Sequence, residues 1–314
     1  MKRILISKLT SLGDILFVLP MISDIRRQYP KLQIDWLVDS SFAELPALHP
    51  AIDRVIAIPL RGFKKQSRRT LLRGVLNAIK TLRLAKYDLV LDCHGMIKSA
   101  LLSKIARADR IIGPPTYRLG ELEARFAYTS QVSPDPKLPA IEWYREYAAQ
   151  ALNYRPSGTP EFNLQVSLPA LNLQKGRYVM AFFATSGEGK YWPMAHWLSL
   201  LQALEQHGLA AILPWGNAAE QAFAEHLAAQ LKQAVVAPKL TIAQVASLIS
   251  GAEWSIGVDT GMTHLAESLE RATVALYTVT DSTTYHPYWK QNAHSLGGNG
   301  VIPEPVQVLA AMGL

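Results

Sequence analysis

At Lys8-Leu-Thr-Ser-Leu-Gly-Asp14, at Ala184-Thr-Ser-Gly-Glu-Gly-Lys-Tyr-Trp-Pro193 and at Trp254-Ser-Ile-Gly-Val-Asp-Thr-Gly-Met-Thr-His-Leu-Ala-Glu-Ser-Leu269, a short apolar run gives way to a turn of small and hydroxyl residues. A helix pattern follows each. A strand that ends where such a turn opens a helix leaves unpaired N–H groups and the positive end of the helix dipole aimed at one spot, which suits a phosphate. In the third segment Asp259, Thr260, Gly261, Thr263 and His264 cluster at that spot. Asp259, at a strand end, suits sugar hydroxyls better than phosphates. His264 belongs at the edge of the site, since a lone histidine in a first helical turn is more often packed or capping than catalytic.

Lys190 follows two glycines and two hydroxyls, Thr185 and Ser186, so the loop can contact phosphate oxygens while the lysine neutralises them. The alternative is a solvated loop lysine. It is not a Walker loop, because no Gly-Lys-Ser/Thr spacing is present. Two phosphate-holding loops in one half point to a diphosphate. Asp14 sits where a helix begins and reads either as an N-terminal helix carboxylate or as a base mounted at a strand end, where catalytic groups collect. A helix dipole keeps it ionised, so as a base it relies on held geometry more than on pKa. In Leu213-Pro-Trp-Gly-Asn-Ala-Ala-Glu220 the carboxylate either binds a ribose diol or caps its own helix, and the loop Ala237-Pro-Lys-Leu240 on the same edge could border a base.

These positions need elements to hold them. Strand candidates are Ile4–Ser7, Ile34–Val38, Val55–Ile58, Leu89–Asp92 and Arg110–Ile112, then Tyr178–Ala184, Ala210–Pro214, Ala234–Val236, Trp254–Val258 and Thr273–Tyr277. Helical periods fall between them, at Ile15–Gln28, Leu71–Leu84 and Ile97–Ala106, then at Pro193–His207, Ala218–Lys232, Ile242–Ile249 and Gly261–Leu269. Such alternation predicts an α/β protein with two doubly wound parallel sheets in series. The Pro-rich, aperiodic stretch from Tyr154 to Ala170 reads as the linker, giving domains 1–156 and 157–314 and leaving a C-terminal helix free to pack back on the first. Ligands of such sheets bind at the carboxyl ends of the strands, so two working walls of one cleft are expected.

With 314 residues, 49% of them hydrophobic, the chain can bury two cores. Its charge is uneven. Residues 1–156 carry 25 Lys and Arg against 14 Asp and Glu, and residues 157–314 carry 7 against 11, so +11 and −4 make up the net +7. The first half should meet something anionic. Much of that excess lies in Arg61-Gly-Phe-Lys-Lys-Gln-Ser-Arg-Arg-Thr-Leu-Leu-Arg73, six basic residues and no acidic one. A solvated face is one reading and an anionic lipid headgroup region the other. No nucleic-acid reader motif or aromatic interleaving accompanies the run. The single Cys93 excludes an intramolecular disulfide, no apolar run reaches bilayer-spanning length, and Lys8 and Asp14 interrupt the N-terminal apolar stretch, so a cytoplasmic protein is expected. No His, Cys or Asp cluster has metal-ligand spacing, and neither metal nor cofactor is expected.

Taken with Asp92-Cys-His-Gly-Met-Ile-Lys-Ser99, Lys190-Tyr-Trp-Pro193, Leu213-Pro-Trp-Gly216 and Val258-Asp-Thr-Gly-Met-Thr-His264, the sequence resembles glycosyltransferase family 9, the heptosyltransferases of lipopolysaccharide core assembly, from end to end. The resemblance implies a GT-B architecture of two Rossmann-like domains, an ADP-heptose donor and a Kdo-bearing lipid A acceptor. It further implies inversion at the sugar carbon, no metal, and work at the cytoplasmic face of the inner membrane. By motif, Asp14 matches the catalytic base, with Lys190 beside it in the chemistry. Ser11, Gly13, Thr185, Ser186, Lys190, Leu240, Asp259, Thr260, Gly261 and His264 go with the donor, and Glu220 with its ribose. Arg61, Lys64 and Lys98 go with the acceptor. Ser186 replaces a common Thr, Gly62 interrupts the basic run, and the loop at Arg118, Gly120 and Glu121 lacks an expected arginine. Alternatives are a related transferase adding a later heptose or another sugar, and a non-catalytic nucleotide-sugar binder. A dinucleotide oxidoreductase is disfavoured, because the first strand-to-helix turn has no Gly-x-Gly-x-x-Gly.

Overall fold

Runs such as Ile4-Leu5-Ile6 and Val179-Met180-Ala181 are buried on both faces, as parallel strands covered by helices must be. The computed structural model describes residues 1–60, 67–115, 120–166, 171, 173, 176–185, 187, 189–282 and 293–314. Two compact units divide the chain, Met1–Gln165 and Val166–Leu314.

The first unit has strands β1 (Arg3–Ser7), β2 (Gln33–Asp39), β3 (Arg54–Ile58), β4 (Lys86–Tyr87), β5 (Leu89–Asp92), β6 (Arg107–Ala108), β7 (Ile111–Gly113) and β8 (Ser130–Gln131). Its main sheet runs β3-β2-β1-β5-β7-β8, all parallel, while β4 and β6 pair separately. Ile4 stands opposite Ile34 on one side and Leu89 on the other. The helices are α1 (Leu12–Gln28), α2 (Glu44–Ala47), α3 (Arg68–Arg83), α4 (Ile97–Ile105) and α5 (Ala140–Leu152).

The second unit repeats the plan with β9 (Tyr178–Phe182), β10 (Ala210–Leu213), β11 (Ala234–Val236), β12 (Trp254–Val258), β13 (Thr273–Tyr277) and β14 (Ala293–Gly297). Strand order is β11-β10-β9-β12-β13-β14, again parallel throughout. Helices α6 (Met194–Gln206), α7 (Ala218–Ala228), α8 (Ile242–Gly251), α9 (Gly261–Ser268) and α10 (Pro305–Met312) complete it. Val308 and Met312 of α10 join the core built on α6 and the sheet of this unit.

In each sheet the order reverses beside the first strand, between β1 and β5 and between β9 and β12. Crossovers leave in opposite directions there, and the carboxyl ends of the flanking strands at such a reversal are where sheets of this kind bind ligands.

Boundaries differ from the sequence expectation in ways that matter for the site. Helix α1 starts at Leu12, so Asp14 lies within its first turn. Helix α3 starts at Arg68, capped by Ser67, whose hydroxyl accepts from the Thr70 N–H at 3.3 Å, so half of the basic run is helical. Helix α5 was not anticipated, because Ile141, Trp143, Tyr144, Arg145, Tyr147, Ala148 and Ala149 are all buried and blur any polar face. Its Arg145 pairs with Asp24 of α1 at 2.7 Å and donates to the carbonyls of Ser157 and Gly158. Glu161 pairs with Arg27 at 3.0 Å and Asn163 donates to Ser23 at 2.9 Å, so residues 157–165 of the expected linker pack on the first unit.

Gly257 sets how closely α9 approaches β12. A Cβ there would lie 2.1 Å from Thr263 Oγ1 and 2.8 Å from Phe182 Cβ, and that Thr263 hydroxyl donates to the Val258 carbonyl at 2.7 Å. Gly257→Ala is expected to lower the stability of the second unit by about 1–3 kcal/mol through overpacking, read as a fall in its urea midpoint.

Candidate active site

In the first unit the loops leaving β1 and β5 meet at the strand-order reversal. Asp14 Oδ2 accepts from the Ser11 backbone N–H at 3.0 Å and from the Ser11 hydroxyl at 2.7 Å, which fixes the carboxylate at the mouth of α1. Gly13 lies between them in the same turn. Below stands Lys8, only 2% exposed, whose Nζ donates to the Tyr144 hydroxyl at 2.8 Å and lies 5.2 Å from that ring's centroid. Burial opposes charge on Lys8, but the Tyr144 oxygen and the Asp14 carboxylate restore it and raise the pKa above the ordinary lysine value. Burial likewise opposes the Asp14 carboxylate, and Lys8, the Ser11 hydrogen bonds and His94 outweigh it, holding the group below the usual carboxylate range. Asp14 is therefore ionised at neutral pH.

The β5 loop is tied down by Asp92. This fully buried carboxylate accepts from the N–H groups of His94 and Gly95, from Ser99 Oγ at 2.8 Å and from the Tyr128 hydroxyl at 2.9 Å. Burial and Lys8 hold His94 down to about 4, so its ring is neutral, and its Nδ1 is buried with no hydrogen-bond partner among the described residues. Gly120, at φ +99°, lies on Gly95 so closely that a Cβ would sit 1.9 Å from the Gly95 carbonyl oxygen. This seats Glu121, which accepts from the Ile97 N–H at 2.8 Å. Lys98 is exposed on the first turn of α4.

In the second unit the loops leaving β9 and β12 converge on Asp259. Its Oδ2 accepts from Lys190 Nζ at 2.6 Å and Thr280 Oγ1 at 2.8 Å, and its Oδ1 faces His264 Nε2 at 3.4 Å. Burial opposes this charge, and His264, Lys190 and Thr280 outweigh it, so Asp259 lies well below the usual carboxylate range. Thr185 Oγ1 donates to the Asp259 carbonyl at 3.1 Å, which ties the two loops together. Thr260 caps α9 without a side-chain capping bond, so its hydroxyl does not occupy the N–H groups of the first turn that begins at Gly261. Lys190 is thus held by a carboxylate here, where the sequence alone suggested a lysine waiting for phosphate.

Glu220 accepts from the Gly216 N–H at 2.6 Å and from Asn217 Nδ2 at 2.5 Å, the arrangement of a helix-capping carboxylate, with lone pairs to spare for a diol. Beside it Lys239 lies 4.9 Å from the Trp215 ring centroid and donates to the Gly216 carbonyl, and Leu240 follows half-buried on the same loop. Arg61, Lys64, Arg118 and Ser186 lie outside the described residues. The structure brings Ser11 and Asp14 together in one unit and Thr185, Lys190, Asp259, Thr260, Gly261 and His264 together in the other.

Sequence reasoning missed Lys8, Tyr144, His94, Thr280 and Glu267. A lysine ending an otherwise apolar strand was the available sign for Lys8, and the i, i+3 spacing from His264 for Glu267. Nothing local marked Tyr144, which comes from a helix 136 residues away in sequence from its partner. Because Asp14 is depressed, its charge is kept above its folded pKa and lost as pH falls through it. Lys8→Met removes the opposing charge and is expected to raise the Asp14 pKa to or above the ordinary value of about 3.9, followed by carboxyl carbon NMR. An unmoved titration would rule out the coupling.

Comparison with known proteins places this chain in a family. The model of "Glycosyltransferase family 9 (heptosyltransferase)" matches residues 75–307. Lipopolysaccharide heptosyltransferase 1 of Pseudomonas aeruginosa is 34% identical over 294 residues, 93% of this chain and 83% of that protein. The enzyme of the same name from Escherichia coli K12 is 32% identical over 292 residues, 92% of this chain and 91% of its own length. Among solved structures, E. coli heptosyltransferase WaaC with ADP superposes with a TM-score of 0.90 at 28% identity, covering 99% of both chains. The same enzyme with ADP-2-deoxy-2-fluoro heptose gives 0.85 at 28% identity, covering 99% of this chain and 100% of that one. The two parallel-sheet units are those of the GT-B heptosyltransferases, and this chain belongs to glycosyltransferase family 9.

Proposed function

We propose that this protein transfers L-glycero-D-manno-heptose from ADP-heptose to a Kdo hydroxyl of Kdo-lipid A, the first heptose of the lipopolysaccharide inner core. The observation that carries the reading is the pair of charged loops at the two strand-order reversals, in a chain that matches WaaC bound to ADP and to a fluorinated ADP-heptose over its whole length. In this reading the first unit serves the acceptor and the second the nucleotide sugar.

The step is a single displacement with inversion. Asp14, held ionised, takes the proton from the acceptor hydroxyl as that oxygen bonds to the anomeric carbon, and the bond from that carbon to the diphosphate breaks. Charge builds on the leaving ADP, where Lys190 and the open N-terminus of α9 at Thr260 and Gly261 neutralise it without a metal ion. Ser11 and Gly13 line the approach to the sugar, Thr185, Ser186 and His264 the phosphates, Glu220 the ribose and Leu240 the base. Arg61, Lys64 and Lys98 meet the acidic groups of the acceptor.

Helix α3 supports a peripheral site of work at the cytoplasmic face of the inner membrane. Leu72, Leu76 and Leu84 are 60%, 54% and 71% exposed, among the exposed Arg68, Arg69, Arg73, Lys80 and Arg83, with no acidic residue in the helix. Basic side chains at an anionic surface contribute about 1 kcal/mol each. Among the described residues no helix is long and apolar enough to cross a membrane.

Asp14→Asn is expected to cut turnover by about 10²–10⁴-fold and leave ADP affinity little changed, measured by steady-state rates and calorimetry. Lys190→Ala should lower both donor affinity and turnover, the latter by about 10²-fold or more. Offered Kdo-lipid A with and without a first heptose, the enzyme should use only the acceptor lacking it, and the opposite preference assigns a later transfer. Tight ADP-heptose binding with no transfer to either would identify a non-catalytic binder. The pair Arg69→Glu and Arg73→Glu should weaken co-sedimentation with vesicles containing anionic phospholipid and leave binding to neutral vesicles unaltered.

A further inference from the structure

Glu267 is a charged residue with no part in the chemistry above, yet it is only 2% exposed. It sits one turn beyond His264 on α9, and its Oε2 lies 2.8 Å from His264 Nδ1. The other ring nitrogen, Nε2, faces Asp259 Oδ1 at 3.4 Å. A neutral imidazole has one N–H, so in that form a lone pair would be pressed against one of the two carboxylates. Both contacts are favourable only when both nitrogens carry protons. The elements packed most closely on α9 are β12, β13 and α8, and none of these three contributes a charged side chain. Asp259, at the end of β12, and Glu267, on α9 itself, are carboxylates that face the ring, with Lys190 reaching it through Asp259.

Lys190 has a conflict to resolve. It is bound to Asp259 at 2.6 Å, whereas the leaving diphosphate needs its charge. Withdrawing it would strand a nearly buried carboxylate unless another cation remained beside it. We propose that Glu267 is a positioning residue for the donor: by holding His264 as an imidazolium against Asp259, it supplies the counter-charge that frees Lys190 to turn to the diphosphate. The inference rests on the second unit being the one that binds the donor. It agrees with the ring's electrostatics, since burial opposes the charge but Asp259 and Glu267 overcome it and raise His264 to about 9. The sign follows: the ring's charge is present at neutral pH and lost as pH rises through that value.

The test uses the full chain and ADP as probe. The His264 ring is titrated by NMR on histidine-labelled protein, and ADP affinity is measured by calorimetry from about pH 6 to 10 for the wild type and for Glu267→Gln, which keeps an acceptor and removes the charge. The wild-type ring should titrate near 9, and ADP binding should weaken as it does so. In Glu267→Gln both events should move down by about one pH unit or more, so that ADP binds several-fold more weakly at pH 8, while the titration of ADP itself is common to both proteins. A wild-type ring titrating near its ordinary 6.5, or superimposable ADP profiles, overturns the proposal, and the ring titration decides alone if the variant does not fold. Failure of the wild type to bind ADP at any pH overturns the donor reading instead.

Discussion

A parallel sheet whose strand order reverses beside its first strand cannot close its own carboxyl edge. On either side of the reversal the crossover helices cover opposite faces, and the loops that lead to them bring polar side chains to the same edge of the sheet. Both units of this chain are built on that constraint. The apolar strands require burial on both faces, which drives the polar and charged residues to the ends of the strands, and the reversals are where those ends stay open. Asp14 and Asp259 stand at the two reversals, on the loops that leave β1 and β12.

The two units handle buried charge differently. In the first, a buried lysine and a half-buried aspartate stabilise each other over a neutral phenol, and the loop next to them is pinned by Asp92, which takes four hydrogen bonds. In the second, Lys190, Asp259, His264 and Glu267 alternate in sign along a continuous chain of contacts. Buried charge is costly when isolated and tolerable when paired and hydrogen-bonded. Alternation lets one member move to a ligand without leaving its neighbour uncompensated.

The fold was legible wherever burial followed a simple period. Strands β5, β11, β12 and β13 match their sequence readings to the residue, since each is a short apolar run bounded by turn formers. Helix α5 was not legible, because a helix buried nearly all round has no polar stripe to give its period away. The short β8 and the part-exposed β14 carry too little apolar pattern to stand out. Of the site, the residues next to glycine turns could be read from local sequence and family likeness. The residues behind them could not: Tyr144 and Thr280 reach their partners through tertiary packing, which no local spacing encodes. Glu220 shows a further limit, for the carboxylate that the sequence offers to a ribose diol satisfies its own helix end.

Lys8 carries a consequence for how this protein can be improved by selection. Replacing both members of a buried ion pair by apolar side chains is often neutral or stabilising, whereas removing one member strands the other, so a change at Lys8 alone leaves Asp14 without the ammonium that favours its charge. A screen for heat resistance that makes one substitution at a time is therefore expected to keep Lys8, and only a paired change at Lys8 and Asp14 opens the route to an apolar replacement. At the exit of the first strand, two side chains can be given up together more readily than either can be given up singly.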